Sequence, residues 1–430
     1  MVLTTLSEWN SWWKTGIVDK ELLGKFREIN SQLKNYLNFR EIKILIGVRR
    51  SGKSTLFYQF INYLLNKKVN PKQILLINFE DDVLSKRKLR EIFDVYQSNI
   101  NPDTKPYIFL DEVHRCPEWA LFLRKLYDLK QVKHIFITDS SSKFIKSEYA
   151  KSITGRNITL TVYPISFREY ISWKDIKFDL KFSDRKEINK IRKELSNYIR
   201  WGAFPEIFFK EILINKKTLL NEYLEDIVHK DIVERYNVNY SKIKQLVDFL
   251  VSNSTNIFSL RKYSRQYKLS LETINTYLGY LEEVFLFFFV PKFDYSVRKQ
   301  QLSQKKIYIC DTGLLNNVGF QFSENLGKCY ENIVFLELKR RGKEIYYWKD
   351  KNEVDFLIKK GLKPRELIQV CLDITDKETK EREINGLLEA MKKFKLRKGL
   401  IITDDYEAEE KYKNKKIKFI PLWKWLLTSI

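Results

Sequence analysis

The chain has 430 residues, more than one ordinary hydrophobic core organises, so its length predicts two or three domains. Hydrophobic residues make up 44% of it and aromatic residues 14%, which indicates well-packed globular domains rather than disorder. Lys and Arg number 78 against 55 Asp and Glu, and the charge of +23 favours nucleic acid, or an anionic membrane face, over a Lys-rich surface with no specific partner.

The first predicted strand leads into a phosphate loop. The segment GVRRSGKST, residues 47–55, matches G-x-x-x-x-G-K-[ST] at every fixed position. Apolar residues alternate before it and recur at helical spacing after it, which predicts a buried strand, the loop and a helix N-terminus that points at the anion. We expect Lys53 to reach the terminal phosphates of a nucleotide and the Ser54 hydroxyl to bind Mg²⁺. The other nucleotide contacts predicted in the loop are Gly47, Arg50, Ser51, Gly52 and Thr55.

Two later strands end in polar residues. The strand in PYIFLDEVHR ends in Asp111 and Glu112, a Walker B pattern in which Asp111 accepts from Mg²⁺-bound water and the catalytic Glu112 orients or deprotonates the attacking water. The strand in HIFITDSS ends at Thr138, which we expect to contact the γ-phosphate or to position the attacking water. Alternating strands and helices predict a parallel sheet, with the site along the carboxyl ends of its strands.

A fifth strand follows SITGR. Arg156, beyond the last core helix, is a candidate catalytic arginine finger for the charge that develops on the phosphate in the transition state. The alternative is a surface arginine far from any phosphate.

These motifs carry a resemblance. The phosphate loop, FLDE, ITDSS, TGR, YPISFREY and WGAFPEIF occur in an order that resembles a family of prokaryotic, often archaeal, AAA-type ATPases with a C-terminal domain of poorly defined function. The resemblance covers nearly the whole chain and implies ATP and Mg²⁺ as cofactors. The family's Thr-Gly-Ser on the fourth strand has Asp139 in place of its glycine here, and the Gly-Arg of the family falls on Gly155 and Arg156. Its Gly-x-x-Pro falls on Gly202 and Pro205, at the start of a helical lid.

The middle of the chain resembles a winged helix-turn-helix. After the helical segment NEYLEDIVHKDIVERY, three further helices are predicted, followed by two strands in LFFFVPKF and KKIYICD that would form the wing. The third helix would enter the major groove with Ser270, Glu272, Thr273 and Asn275. The residues predicted to hold phosphates are Arg261, Lys262, Arg265 and Lys268, with Arg298, Lys299, Lys305 and Lys306 from the wing. The alternative is a packing or oligomerisation module.

The last third has the element order of a restriction-endonuclease-like core, the PD-(D/E)xK type. Glu331 fits its helix acid and Asp355 its strand aspartate, and whether these two hold a metal is left open. The Glu-x-Lys of such nucleases would fall on Gln369, Val370 and Cys371, which lack both the acid and the lysine. We therefore expect the fold without DNA cleavage; a lysine from elsewhere, such as Lys339, Lys349 or Lys351, is the way in which cleavage could be retained.

The predicted fold class is α/β: a parallel-sheet P-loop ATPase of the AAA type with a helical lid, a winged helix and a degenerate nuclease-like domain. The predicted boundaries are 1–170 for the ATPase domain, 171–236 for the lid, 237–309 for the winged helix and 310–430 for the nuclease-like domain. The predicted function is Mg²⁺-dependent ATP hydrolysis coupled to DNA binding or remodelling, with a homo-oligomer left open. The alternatives are a nucleotide switch that acts on protein partners, as in defence or toxin-like systems, and an ATP-coupled nuclease.

The four cysteines form no C-x-x-C pair, which favours a reducing cytosol and disfavours a zinc site. The N-terminus does not resemble a signal peptide, and the longest apolar run, residues 284–290, is too short to cross a bilayer. We therefore predict a cytoplasmic protein without a membrane partner.

Overall fold

The structure is a computed structural model that describes residues 1–116, 118–142, 153–179, 184–318 and 326–428. These residues divide into two compact units. The first comprises Met1–Pro164 and Glu283–Phe285, and the second comprises Ile165–Glu282 and Leu286–Ile430. The predicted division into four domains stays a prediction.

The first unit is built on five parallel strands in the order β2-β3-β4-β1-β5. The strands are β1 Ile42–Ile46, β2 Ile74–Asn78, β3 Tyr107–Asp111, β4 His134–Asp139 and β5 Asn157–Thr161. The helices are α1 Val2–Trp9, α2 Trp12–Thr15, α3 Lys20–Leu23, α4 Ile29–Asn35, α5 Lys53–Asn66, α6 Leu89–Asn99 and α7 Trp119–Asp128. The sequence predicted the parallel sheet, and the structure confirms it.

Hydrophobic packing fixes α5 on this sheet. All five residues of β1 are buried, and the buried side chains of α5 recur at helical spacing. Phe57 and Phe60 on this face contact Phe109 of β3, which stacks on Phe136 of β4 with ring centroids 4.7 Å apart. This core sets the start of α5 directly after the carboxyl end of β1, which is the geometry that a phosphate loop needs.

The second unit begins with helices. They are α8 Phe167–Trp173, α9 Arg185–Trp201, α10 Pro205–Phe209, α11 Leu213–Asp226, a π-helical segment Ile227–Val233 and α12 Glu234–Tyr236. Next come α13 Tyr240–Ser252, β6 Ile257–Phe258, α14 Leu260–Tyr267, α15 Leu271–Glu283, β7 Phe287–Pro291, α16 Val297–Leu302, β8 Lys305–Ile309 and α17 Thr312–Asn317. Strands β6, β8 and β7 form a small antiparallel sheet. The three helices and two strands predicted here are present, and α16, α17 and β6 are additional.

The Gly-x-x-Pro segment is fixed by a buried carboxylate of the same unit. Asp311 accepts hydrogen bonds from the backbone N–H of Ala203, at 2.6 Å, and of Gly313, at 2.8 Å. Gly202 has φ 79°, and a Cβ there would lie 1.9 Å from Asp311 Oδ1. The glycine therefore leaves room for the carboxylate that joins the end of α9 to α17.

The second unit ends in a six-stranded sheet in the order β13-β14-β12-β11-β10-β9. Its strands are β9 Glu344–Lys349, β10 Glu353–Lys360, β11 Lys363–Val370, β12 Lys398–Thr403, β13 Ala408–Tyr412 and β14 Lys415–Pro421. Its helices are α18 Leu326–Arg340, α19 Lys377–Lys393 and α20 Leu422–Leu427. The sequence predicted every element as far as β12 and missed the β13–β14 hairpin and α20. Among the helices that the structure describes, none combines the length and the apolar character needed to cross a bilayer.

Candidate functional site: the phosphate loop and the Walker B acids

The phosphate loop lies between the end of β1 and the start of α5. At its first residue, Gly47, φ is 154° and an added Cβ would lie 2.1 Å from the backbone oxygen of Val162, so only glycine fits there. Gly52, with φ 93°, is the N-cap of α5. Arg50 has φ 67°, a left-handed conformation that non-glycine residues adopt rarely. The loop therefore has the tight backbone that anion binding requires.

Lys53 is buried inside this loop. Its Nζ donates to the backbone oxygens of Gly47, at 2.9 Å, and Val48, at 3.1 Å. It also lies 4.0 Å from Oε1 of Glu112. The two residues that the sequence assigned to the phosphates and to the base are thus brought together.

A buried arginine that was not predicted from the sequence holds the phosphate loop through hydrogen bonds. Arg27 donates to the backbone oxygen of Ser51, at 3.0 Å, and to that of Tyr163, at 2.9 Å. It thereby joins the loop to the segment after β5. No local pattern marks Arg27, since both of its acceptors are backbone atoms distant in the sequence.

Thr138 connects the two Walker B acids. Its hydroxyl donates to Asp111 Oδ1 and accepts from the backbone N–H of Glu112, at 3.0 Å. Burial raises the pKa of Asp111, whereas the hydrogen bonds from Ser54 and Thr138 oppose that rise. The predicted contact of Thr138 with the γ-phosphate stays a prediction.

The donor set fits Mg²⁺. Mg²⁺ takes hard oxygen ligands, and Ser54 at the start of α5 and Asp111 at the carboxyl end of β3 offer a hydroxyl and a carboxylate. We therefore expect these two residues to hold the ion that accompanies a nucleotide.

Glu112 belongs to a cluster with His114 and Asp139 that was not predicted from the sequence. His114 Nδ1 lies 3.4 Å from Oε2 of Glu112 and 3.2 Å from Oδ2 of Asp139. Burial raises the pKa of Glu112, and Lys53 and His114 partly offset that rise. The three ligand atoms of Glu112, His114 and Asp139 lie within 4.8 Å of one another, close enough to share a cation. The one signal in the sequence was Asp139 at the position of the family's glycine.

Arg156 is not brought to this site within the chain. Ile42 pairs with Asn157 and Ile46 with Thr161, so β5 runs parallel to β1 and Arg156 precedes its amino end. The loop follows the carboxyl end of β1, five residues or about 16 Å away at the usual strand rise. Arg156 instead pairs with Asp128, with Nε 2.9 Å from Oδ1. The structure thus places Arg156 away from the phosphate loop of its own chain, and its role as an arginine finger stays a prediction.

The basic residues predicted to contact DNA differ in their placement. Ser270 caps α15 by accepting from the Thr273 N–H at 3.0 Å, whereas Glu272 and Asn275 are exposed. Lys306 was predicted to contact phosphate, and that prediction is wrong. Its side chain is buried and its Nζ lies 2.8 Å from three carboxylates. The other predicted phosphate contacts are exposed: Arg261, Lys262, Arg265, Lys268, Arg298, Lys299 and Lys305.

Three family profiles match the chain. Residues 39–171 match an AAA domain. Residues 192–325 match a domain of unknown function, DUF8612, and residues 326–425 match another, DUF4143. The profiles identify the ATPase part and leave the identities predicted for the other parts as proposals.

Relatives match along most of their length. An uncharacterized protein of Methanocaldococcus jannaschii is 35% identical over 425 residues, which cover 95% of this chain and 93% of the relative. An uncharacterized protein of Haemophilus influenzae is 27% identical, covering 91% of this chain and 96% of the relative.

Two solved structures resemble this chain with TM-scores below 0.5. The Walker-type ATPase of Pyrococcus abyssi has a TM-score of 0.43 at 16% identity and covers 70% of this chain and 97% of its own. The Aeropyrum pernix ORC1 protein in complex with DNA has a TM-score of 0.33 at 10% identity and covers 77% of this chain and 97% of its own. At these TM-scores neither likeness supports a statement about function.

Proposed function

Because the chain belongs to the same family as its 35%-identical Methanocaldococcus jannaschii relative and carries an AAA domain, we propose that it is an Mg²⁺-dependent ATPase whose nucleotide state controls its binding to DNA. One observation carries the ATPase proposal. Nζ of the phosphate-loop Lys53 lies 4.0 Å from Oε1 of Glu112, which directly follows the Walker B strand.

Each side chain has a role in this proposal. The loop amides and Lys53 bind the phosphates, and Ser54 and Asp111 would hold Mg²⁺, which would supply positive charge to neutralise them. Glu112 accepts the proton of the attacking water, and the raised pKa that its burial causes makes it a stronger base than an exposed carboxylate.

Thr138 and His114 keep Glu112 in position for this step. The Thr138 hydroxyl accepts a hydrogen bond from the backbone N–H of Glu112, and His114 contacts the Glu112 carboxylate. The left-handed backbone of Glu112, with φ 50°, is the kind of conformation that persists where surrounding contacts fix it.

Charge and exposure support DNA as the partner. The chain carries +23, and the basic residues of α14 and of the segment after it are exposed. A helix pair with a small antiparallel sheet beside it, as in α14, α15 and β6–β8, is the arrangement that a winged helix uses to bind duplex DNA. We propose that this segment supplies the DNA-binding surface.

The experiment is the ATPase rate with and without single-stranded, duplex and branched DNA, together with duplex affinity over a range of salt concentrations. The test variant replaces four exposed basic residues by Gln: Arg261, Lys262, Arg265 and Lys268. A control with the same charge change replaces four exposed basic residues of the C-terminal segment: Lys395, Arg397, Lys411 and Lys413.

We expect the test variant, and not the control, to bind duplex DNA more weakly and with a flatter salt slope. Each phosphate contact contributes about 0.9 to that slope. An equal loss of DNA affinity in both variants would mean that the interaction depends on net charge alone. Retained ATPase activity without salt-dependent DNA binding would contradict the DNA proposal and favour a protein partner.

A further inference from the structure

A buried lysine lies at the centre of an acidic cluster in the second unit. Lys306, on β8, is only 3% exposed. Its Nζ lies 2.8 Å from Oε1 of Glu331, 2.8 Å from Oε1 of Glu353 and 2.8 Å from Oδ1 of Asp355. Glu331 belongs to α18, and the other two acids belong to β10. We call these four residues the Lys306 cluster.

The contacts match the valence of an ammonium group. Lysine carries three N–H donors and no acceptor, and three carboxylate oxygens surround Nζ at hydrogen-bond distance. Burial alone would lower the pKa of Lys306, but Asp355 and Glu331 raise it well above its usual value. The side chain therefore stays a cation although it is buried.

The acids of the Lys306 cluster also accept hydrogen bonds from groups other than Lys306. Asp355 Oδ2 accepts from the backbone N–H of Val370, at 3.0 Å. Glu331 Oε1 also accepts from the Tyr308 hydroxyl, at 2.7 Å, and Glu353 Oε2 accepts from Lys349, at 3.1 Å. These contacts orient the three carboxylates around Nζ.

The residue in the place of the nuclease glutamate has a structural role. Gln369 Oε1 accepts from the backbone N–H of Asp355, at 3.0 Å, and its Nε2 donates to Glu383 at 2.5 Å. The Gln369 amide therefore supports the backbone at Asp355, and the acids around the ammonium are Glu331, Glu353 and Asp355.

We propose that Lys306 is the resident cation of this site and takes the place that a divalent metal ion would occupy among the same carboxylates. A metal ion would need the oxygens that Nζ contacts, and it would lie beside a second buried positive charge. The C-terminal domain therefore holds no metal at Glu331 and Asp355, and the cluster instead anchors β8 to α18 and β10.

A relocated catalytic lysine is the alternative chemistry, and the contacts disfavour it. A catalytic lysine needs a donor directed at the phosphate or at metal-bound water. All three donors of Lys306 have a carboxylate within 2.8 Å, so the ammonium is committed to the acids.

The test measures Mn²⁺ bound per full-length chain by electron paramagnetic resonance of the free ion. All variants carry Asp111→Asn, which weakens the phosphate-loop metal site. The parent in this test is therefore the Asp111→Asn protein. It is compared with the same protein carrying Lys306→Met, and Asp355→Asn is then added to each of the two. Mn²⁺ bound elsewhere is common to all four proteins, so only the difference made by Asp355→Asn reports the Lys306 cluster.

We expect Asp355→Asn to change nothing in the parent. In Lys306→Met we expect one further Mn²⁺ per chain, which is lost again when Asp355→Asn is added. Mn²⁺ that the parent binds and Asp355→Asn removes would overturn the proposal. A folded Lys306→Met protein that binds no further Mn²⁺ would also overturn it.

Loss of the lysine leaves buried acids unpaired, so thermal melting accompanies the binding measurement. A second variant, Lys306→Met with Glu331→Gln and Asp355→Asn, removes the charge of the lysine and of two of its three acids at nearly constant shape, while Glu353 keeps its ion pair with Lys349. We expect Lys306→Met to melt lower than the parent and to be restored by Mn²⁺, and the triple variant to need no metal. If Lys306→Met does not fold, the proposal stands only if the triple variant folds and the parent binds no Mn²⁺ that depends on Asp355.

Discussion

Replacing Thr138 by Val tests how the Walker B acids are held. Valine has nearly the shape of threonine but no hydroxyl, so it removes the donor to Asp111 and the acceptor for the Glu112 N–H while leaving the packing of β4 intact. The side chain is fully buried, so water does not replace the lost hydroxyl.

The expected effect follows from these two contacts. A hydrogen bond to a charged group contributes about 1.5–3 kcal/mol, and a buried N–H left without an acceptor costs about 1–3 kcal/mol. Because the two losses share one hydroxyl, we expect a total of about 2–4 kcal/mol rather than their full sum. If about half of this free energy is lost from the stabilisation of the transition state, kcat decreases about 5- to 30-fold.

The assay is steady-state ATP hydrolysis at saturating Mg²⁺, with thermal melting of the same samples. We expect kcat to fall, KM for ATP to change little and the acidic limb of the pH–rate profile to move to higher pH. That last shift has a definite sign, because the Thr138 hydrogen bond lowers the pKa of Asp111 and its loss raises it. Thr138→Ser, which keeps the hydroxyl, is the control, and a valine variant as active as the serine variant would refute the reasoning.

Three further predictions concern the same unit. Lys53→Ala should abolish ATP binding in equilibrium titration, and binding at parental affinity would remove Lys53 from the phosphate site. His114→Ala should lower kcat about tenfold with little change in KM, because Glu112 loses the contact that positions its carboxylate, whereas a changed KM alone would indicate a role in binding. If Arg156 acts in a neighbouring subunit, mixing Arg156→Ala with Glu112→Gln protein should restore part of the ATPase activity that each lacks, and mixtures that stay inactive would contradict that role.

The phosphate loop and the Walker B strand were predictable because each is a short local pattern. Gly47 and Gly52 bracket a loop whose backbone few other residues can adopt, and Asp111 ends a fully apolar strand. The five parallel strands and the elements from α18 to β12 were also predictable, since each carries its own periodicity.

The missed features depend on contacts between distant parts of the chain. Arg27 binds backbone oxygens at Ser51 and Tyr163, and Lys306 meets acids 25 to 49 positions further on. A lysine on a predicted wing strand is usually exposed, so composition alone pointed to DNA and away from Asp355. The position of Arg156 follows from the pairing of β5 with β1, which no local pattern determines.

The most direct test of whether this site hydrolyses ATP compares the parent chain with Glu112→Gln. Phosphate release from ATP and the affinity for ATP are measured for both proteins. Glutamine keeps the shape of Glu112 but cannot accept the proton of the attacking water. We predict that the parent hydrolyses ATP only with Mg²⁺, and that the variant binds ATP with unchanged affinity but turns it over about 10²–10⁴ times more slowly. Equal turnover by the two proteins, or no hydrolysis by the parent under any condition, would contradict the assignment of this site as an ATPase.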